Sequence, residues 1–162
     1  MNQKVMQILA KSLVDNLKDD LGIVAEKWLD RNYEVVVRYA QKNLDSDAGV
    51  DLLKFERGLI SKRELAMRVS QEYTYDWDPN MAEFHHTRLE FETMEAQVFS
   101  DWLKNSAHEI ALLAGVCPDV ADVVDSLEPD TVKVDPTGVG ISIFNELGRV
   151  SREMQISQND LN

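Results

Sequence analysis

Glu83 and His86 stand three residues apart and Glu90 follows one turn later, so a helix through this segment gathers two carboxylates and an imidazole on one face. An E-x-x-H pair is the element that carboxylate-bridged di-metal bundles use, which makes Glu83, His86 and Glu90 the candidate metal ligands. Such a centre also needs a second E-x-x-H and two further glutamates on facing helices. No second copy exists, because His108 and Glu109 are adjacent and point in different directions on a helix. Solvated polar residues are therefore the expectation here, with no bound cofactor. The same three histidines, His85, His86 and His108, are the available axial ligands for a haem, but no aromatic and histidine pair stands at globin-like separations.

Two further motifs invite chemistry and fall short of it. Val132 to Ile141 reads as an extended segment, a glycine turn and a helix start, the order that lets backbone amides hold phosphate. Gly138-Val139-Gly140 lacks a third glycine and a following Lys-Ser/Thr, and Asp130 and Asp135 repel an anion, so the glycines are expected to loosen a turn beside Pro136. Cys117, the sole cysteine, precedes Pro118 at a position where a helix N-terminus lowers a thiol pKa. No histidine is adjacent to activate it, and a lone thiol permits neither an intrachain disulfide nor a zinc framework. No catalytic residue is nominated, and a reducing cytoplasm is the expected location.

The acids carry the stronger signal. Asp119, Asp122, Asp125, Glu128, Asp130 and Asp135 place six carboxylates within 17 residues against Lys133 alone. Asp119, Asp122 and Asp125 recur every three residues, so a short helix there has one carboxylate face. Asp76, Asp78, Glu83, Glu90, Glu92 and Glu95 form a second cluster. The net charge is −12, and a cut at Tyr75 leaves 12 basic and 12 acidic residues before it, with 5 basic against 17 acidic after it. Such a balance excludes direct binding to nucleic acid or anionic lipid and favours a cationic partner, with solubility alone as the plainer reading.

The expected function is accordingly a non-enzymatic interaction module, an adaptor or inhibitor, whose acidic second half docks on a basic protein surface. Asp119, Asp122, Asp125, Glu128, Asp130, Glu90, Glu92 and Glu95 are the expected contacts. Its sharpest version mimics nucleic-acid charge to block a nucleic-acid-binding protein. One alternative is a small helical metal- or cofactor-binding protein centred on Glu83 and His86. Another is a homo-oligomeric subunit in which the basic corner from Arg57 to Arg68 docks on the acidic half of a neighbour.

The elements that position these residues read as helices. Met6, Leu9, Leu13, Leu17, Leu21, Val24 and Trp28 recur at steps of three and four, one face of an amphipathic helix that Gly22 is expected to bend, with a second helix ending near Leu44. Asp45-Ser46-Asp47 reads as a cap for a short helix that Gly58 terminates. Ser61 and Glu64 form a capping box, with Ile60 and Leu65 as its hydrophobic staple. This corner resembles half of a helix-turn-helix, but the aromatic and acidic run Tyr73 to Pro79 stands where a recognition helix belongs.

Asp78 and Pro79 are expected to start a long helix with Phe84, Phe91, Val98 and Trp102 on its inner face. It breaks near Asn105, where Ser106 and Glu109 repeat the box. A last helix from about Gly138 to Met154 shows Ile141, Phe144, Leu147, Val150 and Met154 in one stripe. The predicted fold is all-α: a single domain over 1–156 of six or seven helices, neutral over 1–75 and acidic over 76–156. At most one short extended segment lies at 131–135, and a flexible tail follows at 157–162. The longest apolar runs fall far short of the ~20 residues of a membrane span, and the N-terminus lacks the apolar core of a signal peptide.

Overall fold

The computed structural model describes residues 3–72, 82–115 and 136–160, which form six helices and, among the described residues, no strand. They are α1 (Gln3–Lys42), α2 (Asp47–Glu56), α3 (Lys62–Ser70), α4 (Ala82–Asn105), α5 (Ala107–Ala114) and α6 (Pro136–Asp160). The all-α class read from the periodicity is the observed one. None of these helices is long and apolar enough to cross a membrane.

The chain divides into two compact units, Met1–Asp19 with Ala96–Asn162, and Asp20–Glu95, so both boundaries fall inside helices. In the Asp20–Glu95 unit the core is built from Trp28, Leu29 and Val36 of α1, Leu52 of α2, Leu65 and Val69 of α3, and Phe84 and Phe91 of α4. Trp28 meets Phe91 edge-on at 5.6 Å, and its indole N–H donates to the Thr87 carbonyl at 2.6 Å, so the large ring is buried without stranding its polar atom. The other unit uses the same device in the opposite direction, with Trp102 of α4 donating to the Leu13 carbonyl of α1 at 3.1 Å.

Local rules explain where the helices start and stop, and where the sequence misleads. Gly22 does not bend α1. Its missing side chain leaves room for Arg63, whose Cδ lies 2.8 Å from where a Cβ would stand. The irregularity falls at Asn32 (φ −113°, ψ 17°), whose amide Nδ2 donates to the Trp28 carbonyl four residues back. That side-chain bond competes with the backbone for the same carbonyl at the point where the helix departs from regular geometry.

Ser46 caps α2 by accepting from the Gly49 N–H, and Gly58 closes it at φ +72°, with its own N–H on the Phe55 carbonyl and that of Leu59 on the Lys54 carbonyl. Ser61 accepts from the Glu64 N–H at 3.1 Å, the first half of the expected box. Glu64 itself turns toward Arg68 instead of back to Ser61.

The box expected at Ser106 does not form. Ser106 N–H still donates to the Trp102 carbonyl and its own carbonyl still accepts from Ile110, so the helical ladder runs through the joint and its hydroxyl makes no cap. In α6 the buried positions are Gly140, Ile143, Leu147 and Val150, while Ile141 is exposed. The expected stripe was anchored on the wrong first residue because Gly140, buried against the Phe99 ring, has no side chain to register as apolar. The helix also runs to Asp160, through most of the expected tail, since no Pro or Gly follows Gly148 to end it. The extended segment expected at 131–135 and the cap at Asp78 and Pro79 lie outside the described residues.

Candidate functional site

Within the Asp20–Glu95 unit α1 and α4 run antiparallel, and the polar residues at their edge are already paired. Arg31 reaches Glu90 at 2.6 Å and Arg38 reaches Glu83 at 2.5 Å, seven residues apart on each helix. Seven residues are two turns, so the pairs form two rungs that fix the register of one helix on the other. These side chains are largely exposed, and pairs of this kind contribute only ~0–1 kcal/mol each. Glu83, His86 and Glu90 do share one helix face, but both carboxylates are held by guanidinium groups while His86 is exposed. Among the described residues no three His, Cys, Asp or Glu side chains cluster as metal ligands.

Of the other α4 acids expected to contact a partner, Glu95 accepts from the Gln71 amide at 3.2 Å. Glu92 is exposed, with no ion pair among the described residues. Asp119, Asp122, Asp125, Glu128 and Asp130 lie outside the described residues, as does Cys117. The basic corner is also engaged: Lys62 pairs with Asp30, Arg63 with Glu26 at 3.1 Å and Arg68 with Asp51 at 3.1 Å. Three cations of that corner thus tie α3 to α1 and α2. Gly138 and Gly140 lie within α6 and form no phosphate-cradling turn.

Counting charge by compact unit changes the picture drawn from chain halves. Residues 1–19 and 96–162 hold 7 basic against 13 acidic residues, a net of −6, and residues 20–95 hold 10 against 16, again −6. The acidic excess is shared between the two units, because the acids of α4 that follow Tyr75 in sequence pack beside the arginines of α1 that precede it.

One polar cluster is invisible in the sequence. Glu72, just after α3, accepts the Ala48 N–H at the start of α2 with Oε1 at 3.1 Å, while its buried Oε2 has no hydrogen-bond partner among the described residues. Burial raises its pKa above the ordinary carboxylate value; the Asp47 and Asp51 charges add to the rise, against the lowering effects of the Ala48 bond and Arg88. Tyr39 is buried nearby and stacks on Phe84 with ring centroids 3.9 Å apart. Its hydroxyl is pushed up by burial and then by the Glu72 charge, with Arg88 opposing. Arg88 donates in turn to the Ser70 carbonyl at 3.2 Å.

The cluster ties α1, α2, α3 and α4 together through groups widely separated in the chain, so no spacing announces it. An open recess of about 390 Å³ lies instead along α1, over Ile8, Lys11, Ser12, Asp15 and Asn16. It is lined by none of the cluster. Glu72 and Tyr39 are held by contacts to the Ala48 N–H and the Phe84 ring, an arrangement that braces these helices against one another.

No family model, no curated protein and no solved structure matches this chain.

Proposed function

We propose that the protein is a non-enzymatic interaction module, an adaptor or inhibitor, that presents an acidic surface to a basic surface of its partner. The observation that carries this reading is the charge distribution: each compact unit keeps a net −6. In residues 20–95 five of the ten bases, Arg31, Arg38, Lys62, Arg63 and Arg68, are spent on internal ion pairs. Internal pairing also sorts the candidate contacts. Glu90 and Glu95 serve the fold, so docking falls to Glu92 and to the Asp119, Asp122, Asp125, Glu128 and Asp130 series, of which Asp119, Asp122 and Asp125 have the three-residue spacing expected to give one carboxylate face. A protein that normally grips nucleic-acid phosphates is the partner whose chemistry fits best, since it already carries the complementary field.

The test is capture from native lysate at ~0.1 M and ~1 M salt, where screening lengths are ~10 and ~3 Å. The proposal expects a basic protein retained at low salt and released at high salt, and lost from the Asp119→Asn, Asp122→Asn, Asp125→Asn triple variant while that variant remains folded. Retention of the same partner by the triple variant at every salt concentration would remove that face from the account, and equal silence from Glu92→Gln would end the electrostatic reading.

A further inference from the structure

We infer that α2 is a homodimerisation face whose occupant is α2 of a second copy of this chain, lying antiparallel to it across a two-fold axis. Its inward side, Ala48, Gly49, Asp51 and Leu52, is buried. Outward it carries Val50 and Leu53, 43% and 47% exposed, and the ends of the helix are flanked by Leu44 and Leu59, 70% and 69% exposed. These four are placed symmetrically: Leu44 lies three residues before the helix and Leu59 three after it, while Val50 is three from its start and Leu53 three from its end. The glycine closure at Gly58 belongs to a motif that turns the following residue, here Leu59, back toward the turn that carries Leu53.

A segment with that symmetry meets itself when one copy is reversed. A two-fold axis through the helix midpoint sets Val50 against Leu53 of the second copy and Leu44 against Leu59, each pair occurring twice, as an isologous contact requires.

Charge selects the same arrangement. Asp47 and Lys54 are seven residues apart, two turns, and therefore lie on one flank of α2, and neither makes an ion pair among the described residues. Reversal about the two-fold axis keeps that flank facing itself, so Asp47 of each copy adjoins Lys54 of the other. A parallel pair would turn the two flanks to opposite sides of the contact and leave both charges unpaired. Ten residues of helix extend only ~15 Å, and with the two flanking leucines the contact falls below the ~800 Å² per partner of a standard interface. The expected dimer is consequently weak and populated only toward high protein concentration.

Sedimentation velocity of the full chain over about 5 to 500 µM reads this directly. The proposal expects a reversible monomer–dimer equilibrium, weakened at least tenfold by Leu53→Asp, a change at an exposed position that leaves the helical dichroism intact. Asp47→Lys alone and Lys54→Asp alone should each weaken self-association. An equimolar mixture of the two, or the double swap, should restore it, because opposite charges then face each other again. A monomer at every concentration, a dimer indifferent to Leu53→Asp, or single swaps that the mixture fails to rescue would each overturn the assignment.

Discussion

Glu72 shows how little a single residue's neighbours in sequence say about its state. Its pKa is raised above the ordinary value of 4.5, so between that value and the raised one the folded protein binds more protons than the unfolded chain. Stability therefore falls as pH rises through that window, and the ionised carboxylate remains a cost above it. Glu72→Gln keeps an acceptor for the Ala48 N–H and removes the charge. Chemical denaturation from about pH 4 to 7 should find the variant at least as stable as wild type at neutral pH, with a flatter pH dependence. A marked loss at neutral pH would mean that the charge is satisfied.

Two serines make the complementary point, because the same S-x-x-E spacing occurs at Ser61 and Ser106 and only the first caps a helix. Ser61→Ala should lower the unfolding free energy by ~1 kcal/mol, whereas Ser106→Ala, which removes no cap, should cost clearly less. Equal losses would show that the second box forms in solution.

At the scale of elements, apolar spacing revealed the helices, and what it missed has identifiable causes. The stripe from Met6 to Trp28 is legible since its buried members Leu13, Leu17 and Trp28 carry large side chains, while the buried Ala10, Gly22 and Ala25 beside them add little to the pattern. Asn32, at the irregularity in α1, is a polar residue that bonds the Trp28 carbonyl, and Gly22 signals a bend by helix propensity alone. Glycines in helices are read correctly only with the partner in view, and two substitutions test this. Gly140→Ala sets a Cβ into the Phe99 ring and should destabilise the protein by ~1–3 kcal/mol, the usual cost of overpacking. Gly22→Ala meets only the flexible Arg63 side chain, and the ~1 kcal/mol gained in helix propensity should leave the variant neutral to more stable. Thermal melts separate these outcomes, and the reverse order would refute both placements.

For the whole molecule, the sequence discloses the amount of charge and its division along the chain, and the compact units cut across that division. A division at Tyr75 follows chain order, while the compact units are assembled from segments far apart in it, so carboxylates of α4 end beside guanidinium groups of α1. Pairing across 45 and 59 residues leaves no mark in local composition. The candidate surface is thus legible only as a class of residue, and in the structure Glu90 and Glu95 have internal partners in Arg31 and Gln71.

The central claim is that the remaining acidity steers a basic partner onto this chain, and the association rate constant measured against ionic strength tests it most directly. With the captured partner, wild type should associate at least ten times more slowly at ~0.5 M than at ~0.05 M salt, since attraction between charged surfaces acts through the rate of encounter. The Asp119→Asn, Asp122→Asn, Asp125→Asn variant should start slower and depend less steeply on salt. A rate constant that does not change with salt, or a variant whose slope equals that of wild type, would contradict the account.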